Sequence, residues 1–105
     1  MGAAEERDAI EARRAERIVG ALKARGVTLD EKRDGNTMLV RAVDRKGQHR
    51  GIQGVVKKGE GPLALRRRLL WTLAIDVEHD ETGCRCNHVS CPAAAALLRR
   101  LKEAS

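Results

Sequence analysis

A cluster of metal-ligand side chains constrains the C-terminal third of this chain more than any other feature does. All three cysteines of the 105 residues fall within eight positions, together with one histidine, in the spacing C-x-C-x-H-x2-C. Three thiolates and one imidazole are a standard set for a structural zinc ion, which prefers four sulfur or nitrogen ligands in a tetrahedron. The predicted zinc ligands are Cys84, Cys86, His88 and Cys91.

The residues around these ligands suit such a site. Gly83 and Asn87 tolerate the positive φ that a tight turn between close ligands needs. Cys91 comes directly before Pro92, so we expect it at the N-terminus of a helix, where the helix dipole stabilises a thiolate. The motif therefore predicts a zinc loop at residues 83–91 in which the ion is a structural staple.

Other interpretations of the cluster stay open. An iron–sulfur or other soft-metal site would use the same ligands, and cysteines without any ligand role would leave His88 as a solvated side chain. His79 is the alternative nitrogen ligand, because it ends the preceding predicted helix. Catalysis at the metal is disfavoured, since four local ligands close the coordination shell. The acids at positions 78, 80 and 81 are interpreted as a solvated helix end.

The rest of the chain can supply only an aliphatic core. Trp71 is the single aromatic residue. The chain contains 11 Leu, 8 Val and 4 Ile, and this aliphatic content is close to the lower limit for a packed domain. A bound metal is a useful constraint at this composition, and the length fits one domain. No segment approaches the roughly 20 apolar residues of a membrane span, and the N-terminus has no signal-peptide core. We therefore expect a cytoplasmic protein without a membrane partner.

Hydrophobic periodicity predicts an α+β fold whose first half is a helix followed by strands. Residues 3–25 predict an N-terminal helix, and its expected apolar face consists of Ile10, Ile18, Ala21 and Leu22. Residues 27–57 predict a three-stranded antiparallel meander with turns at 34–35 and 46–47. Within it, Thr37–Val43 is the clearest strand and Gly51–Lys57 is the expected third strand.

The second half is predicted to be helical on both sides of the zinc loop. Residues 62–79 predict a core helix, since Pro62 suits a first helical turn and leucines recur along it. Residues 92–104 predict a C-terminal helix, which begins at Pro92 and carries an apolar stripe of Leu97, Leu98 and Leu101. The predicted architecture is one domain, residues 1–105, of three helices and one small sheet.

Positive charge is concentrated in the middle of the chain. Residues 23–68 contain thirteen Lys and Arg against five acids, a net charge of +8, whereas each flanking segment has a net charge of −1. Three consecutive arginines near a helix N-terminus oppose the helix dipole without evident structural benefit, so an anionic partner is expected. The predicted nucleic-acid-binding residues are Arg41, Arg45, Lys46, Arg50, Lys57, Lys58, Arg66, Arg67 and Arg68.

A duplex is the favoured form of that partner. The predicted sheet carries no aromatic residue, so it lacks the stacking surface that reads single-stranded bases. The helix–strands–helix order resembles double-stranded-RNA-binding domains, and a three-stranded sheet followed by a helix is similar to the arm-binding domains of phage integrases. Lys57-Lys58-Gly59 does not match the lysine motif of the RNA-binding family. The resemblance is therefore one of topology, and what it implies is limited to a nucleic-acid partner.

Two functions follow as hypotheses. The leading one is a small, zinc-stapled accessory protein, phage or bacterial, that contacts the phosphate backbone of a duplex, with DNA favoured over RNA. The alternative is a zinc-stabilised, phage-encoded protein–protein interaction module without nucleic-acid binding. An enzyme is not expected, because the sequence has no phosphate-binding glycine loop, nucleophile elbow or paired-carboxylate pattern.

Overall fold

The structure is a computed structural model that describes residues 3–83 and 92–103. The described elements are α1 (Ala3–Ala24), β1 (Thr28–Asp34), β2 (Thr37–Val43), β3 (His49–Val55), α2 (Pro62–Thr82) and α3 (Pro92–Glu103). They form an α+β fold in which an antiparallel sheet in the order β1-β2-β3 packs on one face against the helices. The predicted class, element order and meander are confirmed, while the 83–91 loop and its four predicted ligands extend beyond the described residues.

The buried face of the first helix lies in its C-terminal part. Ala15, Ile18, Val19 and Leu22 are buried, as the spacing of a helix directed at one neighbour requires. Ile10, the first residue of the predicted apolar face, is 40% exposed. Residues 5–10 are all exposed, and these first turns have few apolar side chains to bury.

The third strand lies two residues earlier than predicted. His49 pairs with Val43 and Val55 pairs with Thr37, which fixes β3 as His49–Val55 in place of the predicted Gly51–Lys57. Gly54 lies on the helix-facing side, where an added Cβ would be 2.9 Å from Leu69 Cδ2. A side chain at this position would therefore displace the ends of the Leu69 and Leu65 side chains.

The core lies between the sheet and the helices α1 and α2. Its largest fully buried side chains are Leu22, Val40, Leu65, Leu69, Leu70, Leu73 and Leu97. The last of these comes from α3, so both helices that flank the 83–91 loop share one core. Leu98 is 48% exposed, and the predicted apolar stripe of α3 is therefore only partly buried.

Helix α2 is longer than predicted at its C-terminus. It begins with Pro62 and runs to Thr82, and Gly83 ends it in the left-handed conformation at φ 68°. The acids at 78, 80 and 81 consequently lie within the last turns of the helix. No helix within residues 3–83 and 92–103 is long and apolar enough to cross a bilayer.

Candidate nucleic-acid interface

The sheet has one face that no helix covers. Successive residues of a strand point to opposite faces, and Met38, Val40 and Ala42 of β2 are buried against the helices. The strand register then places twelve residues on the outer face, among them Leu39 and Arg41 at its centre. The twelve are Thr28, Asp30, Lys32, Asp34, Thr37, Leu39, Arg41, Val43, His49, Gly51, Gln53 and Val55.

Basic side chains lie on this outer face and at both of its ends. Arg41 is exposed at the centre, between Asp30 on β1 and Gly51 on β3. Lys46 lies in the turn that joins β2 to β3, and Lys57 and Lys58 follow β3 at the opposite end. Within the residues that the structure describes, none of these four side chains forms a salt bridge, although the charge of Lys57 contributes to lowering the pKa of Glu60. On the outer face itself, Lys32 and Arg41 are matched by Asp30 and Asp34, so the excess positive charge lies at the two ends of the sheet.

The turn that carries Lys46 is held by Asp44. The Asp44 carboxylate accepts hydrogen bonds from the N–H groups of Lys46 and Gln48, both at 2.9 Å. The N–H of Gln48 is the main cause that lowers the pKa of Asp44, with further contributions from the N–H of Lys46 and from Arg50, while burial opposes them. Gly47 adopts the left-handed conformation at φ 81°, which closes the turn. Lys46 is consequently presented on a fixed backbone.

The three consecutive arginines at the start of α2 have a structural role that the sequence did not reveal. Arg66 donates to Glu31 of β1 at 2.6 and 3.1 Å, and also to Glu16 of α1. Arg67 contacts Glu11 of α1. The expectation that these charges bring no structural benefit is therefore wrong, because two of them tie α2 to α1 and to the sheet.

Arg68 fastens the chain that leads into the same helix. It donates to both carboxylate oxygens of Glu60, at 3.0 and 3.1 Å, and to the carbonyl oxygen of Val55 at 3.2 Å. The hydrogen bond from Arg68 is the main cause that lowers the pKa of Glu60. Arg68 thus connects the end of β3 to the first turns of α2.

Arg45 and Arg50 also meet carboxylates, in this case from the C-terminal end of α2. Arg45 contacts Glu81 at 2.7 Å, although it remains 60% exposed. Arg50 lies on the helix-facing side of β3 between Asp44, at 3.4 Å, and Asp80. Five of the nine predicted nucleic-acid-binding residues are therefore engaged in ion pairs. The other four form no ion pair within the described residues.

Glu78 forms the most buried of these ion pairs. Its side chain is 3% exposed, and it accepts three hydrogen bonds from Arg25, directly after α1, at 2.9 to 3.1 Å. Arg100 of α3 contacts the same carboxylate. The interpretation of residues 78–81 as a solvated helix end is wrong, because α2 continues through them and each acid holds a basic side chain of another element.

The predicted zinc ligands Cys84, Cys86, His88 and Cys91 lie outside the described residues. The residues on either side of them are described: α2 ends at Gly83, and α3 begins at Pro92 and packs against α2. Among the described residues, no group of three or more His, Cys, Asp or Glu side chains could hold a metal ion. The three cysteines and the histidine that separate α2 from α3 in the sequence are the ligand types of a structural zinc site.

Sequence reasoning overlooked Lys32 and Gln53, which the strand register places on the outer face beside Leu39. The alternation of β2 against its neighbours was the signal that could have found them. It also overlooked a groove around Trp71 on the helical side. The chain matches no protein-family model, and no curated protein or solved structure shows significant similarity to it.

Proposed function

We propose that this protein binds duplex nucleic acid with the outer face of its sheet, as a non-enzymatic accessory protein. The observation that carries the proposal is the distribution of ion pairs. Within the described residues, the predicted basic residues whose side chains form no salt bridge are Arg41, Lys46, Lys57 and Lys58, and all four lie on the outer face or at its ends. Cations that are not neutralised within the fold are the ones that can contact phosphates.

The dimensions of the sheet suit a groove of B-form DNA. Strands of seven residues extend about 20 Å, and three strands are about 10 Å across between the outer axes. The major groove of DNA is about 12 Å wide, whereas the major groove of A-form RNA is too narrow for side chains to read. Arg41 and Gln53 could then reach base edges while Lys46, Lys57 and Lys58 contact phosphates, which favours DNA over RNA.

Salt-dependent binding tests this proposal. The protein is titrated against a labelled random DNA duplex and a matched RNA duplex between about 50 and 200 mM salt. Three phosphate contacts, from Lys46, Lys57 and Lys58, predict that log K falls with log salt with a slope of about −2.7. The variant R41Q/K46Q/K57Q/K58Q should lose most of the affinity and of the slope.

The matched control removes the same number of charges from α1. Arg7, Arg13, Arg17 and Lys23 are exposed, and R7Q/R13Q/R17Q/K23Q should retain affinity and slope. Equal losses in both variants would mean that net charge alone is responsible, and the sheet would not be the site. No binding of the parent protein at low salt would contradict the proposal altogether.

We further propose that Cys84, Cys86, His88 and Cys91 hold one structural zinc ion. The donor set favours zinc, and the ion would fix the connection between α2 and α3. Elemental analysis of the purified protein should give one zinc per chain, and Cys91→Ser should abolish it. His88→Asn should reduce zinc retention, whereas His79→Asn should leave it intact. If only His79→Asn lost zinc, His79 would be the nitrogen ligand in place of His88. Iron in the purified protein in place of zinc would contradict the proposal.

A further inference from the structure

An apolar groove opens on the helical side of the molecule, and none of its lining residues comes from the sheet. It has a volume of about 430 Å³ and lies between α1, α2 and α3. Trp71 and Leu101 are half-buried there, and Leu98 is 48% exposed. The groove therefore contains the single aromatic residue of the chain and one of its few exposed large aliphatic side chains.

The apolar surface continues along α1. Ile10, which is 40% exposed, lies one turn before the groove residue Arg14 on the same side of the helix. The α1 residues that line the groove run from Arg14 to Ile18, a rise of about 6 Å, or about one helical turn. Trp is among the residue types most enriched at the energetic centres of protein interfaces. The groove thus offers an anchor for about one turn of a short helix, and Ile10 adds apolar surface for the next turn.

The rim of this groove carries excess positive charge. Arg14, Arg17 and Arg67 line it. Glu11 is shared by Arg67 and by Arg14, whose nearest approach to it is 3.9 Å, and Arg17 has no carboxylate partner within residues 3–83 and 92–103. Three guanidinium groups therefore share one carboxylate, and the rim has about two uncompensated positive charges.

We propose that this groove binds a short acidic amphipathic helix of a partner protein, with leucine-like side chains against Trp71 and Leu98 and with Asp or Glu opposite Arg14 and Arg17. Amphipathic helices insert their i, i+3, i+4 and i+7 apolar residues into such grooves. The basic rim selects an acidic helix over a basic one, since like charges across an interface are repelled. This surface is separate from the outer face of the sheet, so the two binding events can be measured independently.

A peptide probe tests the proposal on the full-length, metal-loaded protein. The probe is an acidic peptide of Glu and Leu, about sixteen residues long, with leucines at helical spacing and no aromatic residue. Because Trp71 is the only Trp in the chain, its fluorescence reports on the groove directly. We expect a blue shift that saturates with peptide, and no shift with a peptide whose Glu residues are all Lys or whose Leu residues are all Ser.

Paired variants separate groove binding from general attraction. Leu98→Glu and Arg17→Glu should each weaken peptide binding by about tenfold or more. Val55→Glu, at an exposed apolar residue of the sheet, and Arg13→Glu, at an exposed α1 position outside the groove, should not. Each variant should keep the helical content of the parent, because every altered side chain is exposed.

Several outcomes would overturn the proposal. Equal loss in Arg13→Glu and Arg17→Glu would mean non-specific charge attraction, and absence of any Trp71 shift would mean that the peptide does not enter the groove. A protein dimer that Leu98→Glu dissociates would identify a second copy of this chain as the occupant instead. Binding of duplex DNA does not enter these readouts, so the sheet proposal can fail while this one holds.

Discussion

The two ends of α2 carry opposite charges, and each set opposes the helix dipole. Arginines 66, 67 and 68 lie near the N-terminal end, and acids 78, 80 and 81 lie near the C-terminal end. Such charges are unfavourable at those ends by themselves. At both ends, residues of other elements compensate them: Glu11, Glu31 and Glu60 at the start, and Arg25, Arg45, Arg50 and Arg100 at the end.

The two ends differ in how far their ion pairs are removed from water. At the start, the carboxylates of Glu31, Glu11 and Glu60 remain 29%, 18% and 14% exposed. At the end, the Glu78 side chain is 3% exposed and two guanidinium groups converge on it. A carboxylate that is buried at this depth depends on its partners, whereas an exposed charge can revert to hydration. We therefore expect the end of α2, next to the cysteine loop, to be the more sensitive of the two.

The largest effect should follow removal of the buried charge. Glu78→Gln leaves Arg25 and Arg100 without their carboxylate, and we expect it to lower the free energy of unfolding by about 3 kcal/mol. Urea denaturation followed by circular dichroism measures the change. The control Glu81→Gln breaks a pair whose arginine is 60% exposed and should cost below about 1 kcal/mol. Equal costs would remove the distinction between buried and exposed pairs.

An intermediate effect is expected at the start of the helix. Arg68→Gln removes two hydrogen bonds to Glu60 and one to the Val55 carbonyl oxygen, and should cost about 1–2 kcal/mol because the pair is partly exposed. The same urea titration measures it. A cost larger than that of Glu78→Gln would reverse the ranking of the two ends.

These pairings also show why the sequence revealed the elements better than the site. Strand β2 was predicted with its observed bounds, because its alternation and the flanking turns are local signals. The partners of Arg66 and Arg67 lie 35 to 56 positions away in the chain. Nothing local to three consecutive arginines identifies such partners, and the run was therefore interpreted as a free basic surface.

The two wrong boundaries have equally physical causes. The third strand starts early because Asp44 closes its turn through N–H groups of Lys46 and Gln48, so pairing resumes at His49 before the apolar residues begin. Helix α2 continues past His79 because its acids are satisfied by arginines of β3, of α3 and of the turns after α1 and β2. Tertiary contacts decided both boundaries, and periodicity does not report tertiary contacts. The residues of the outer face could be identified only from the strand register, which the sequence does not give.

Acid should weaken the two ends through carboxylates with lowered pKa values. Glu60 at the start and Asp44 beside the end both have folded-state pKa values below their ordinary ones. Their stabilisation is complete above the unfolded-state pKa and is lost as the pH falls through the folded-state pKa. We therefore expect the urea concentration at the unfolding midpoint to decrease when the pH is lowered below about 4. Asp44→Asn should flatten this dependence relative to Asp30→Asn, which alters an exposed outer-face aspartate; an unchanged slope would contradict the role of Asp44.

The smallest effect on stability should come from basic residues of the segment 23–68 that form no salt bridge. Within the described part of the chain, Lys57 and Lys58 form no such bridge and are exposed, so K57Q/K58Q should change the free energy of unfolding by less than about 0.5 kcal/mol. The same variant should reduce the salt slope for duplex binding by about 1.8, the value for two phosphate contacts. Arg68→Gln, ten residues from Lys58 and already engaged with Glu60, should show the opposite behaviour, a loss of stability with the slope retained. If both variants lost stability and slope together, carboxylate pairing would not separate structural cations from binding cations in this protein.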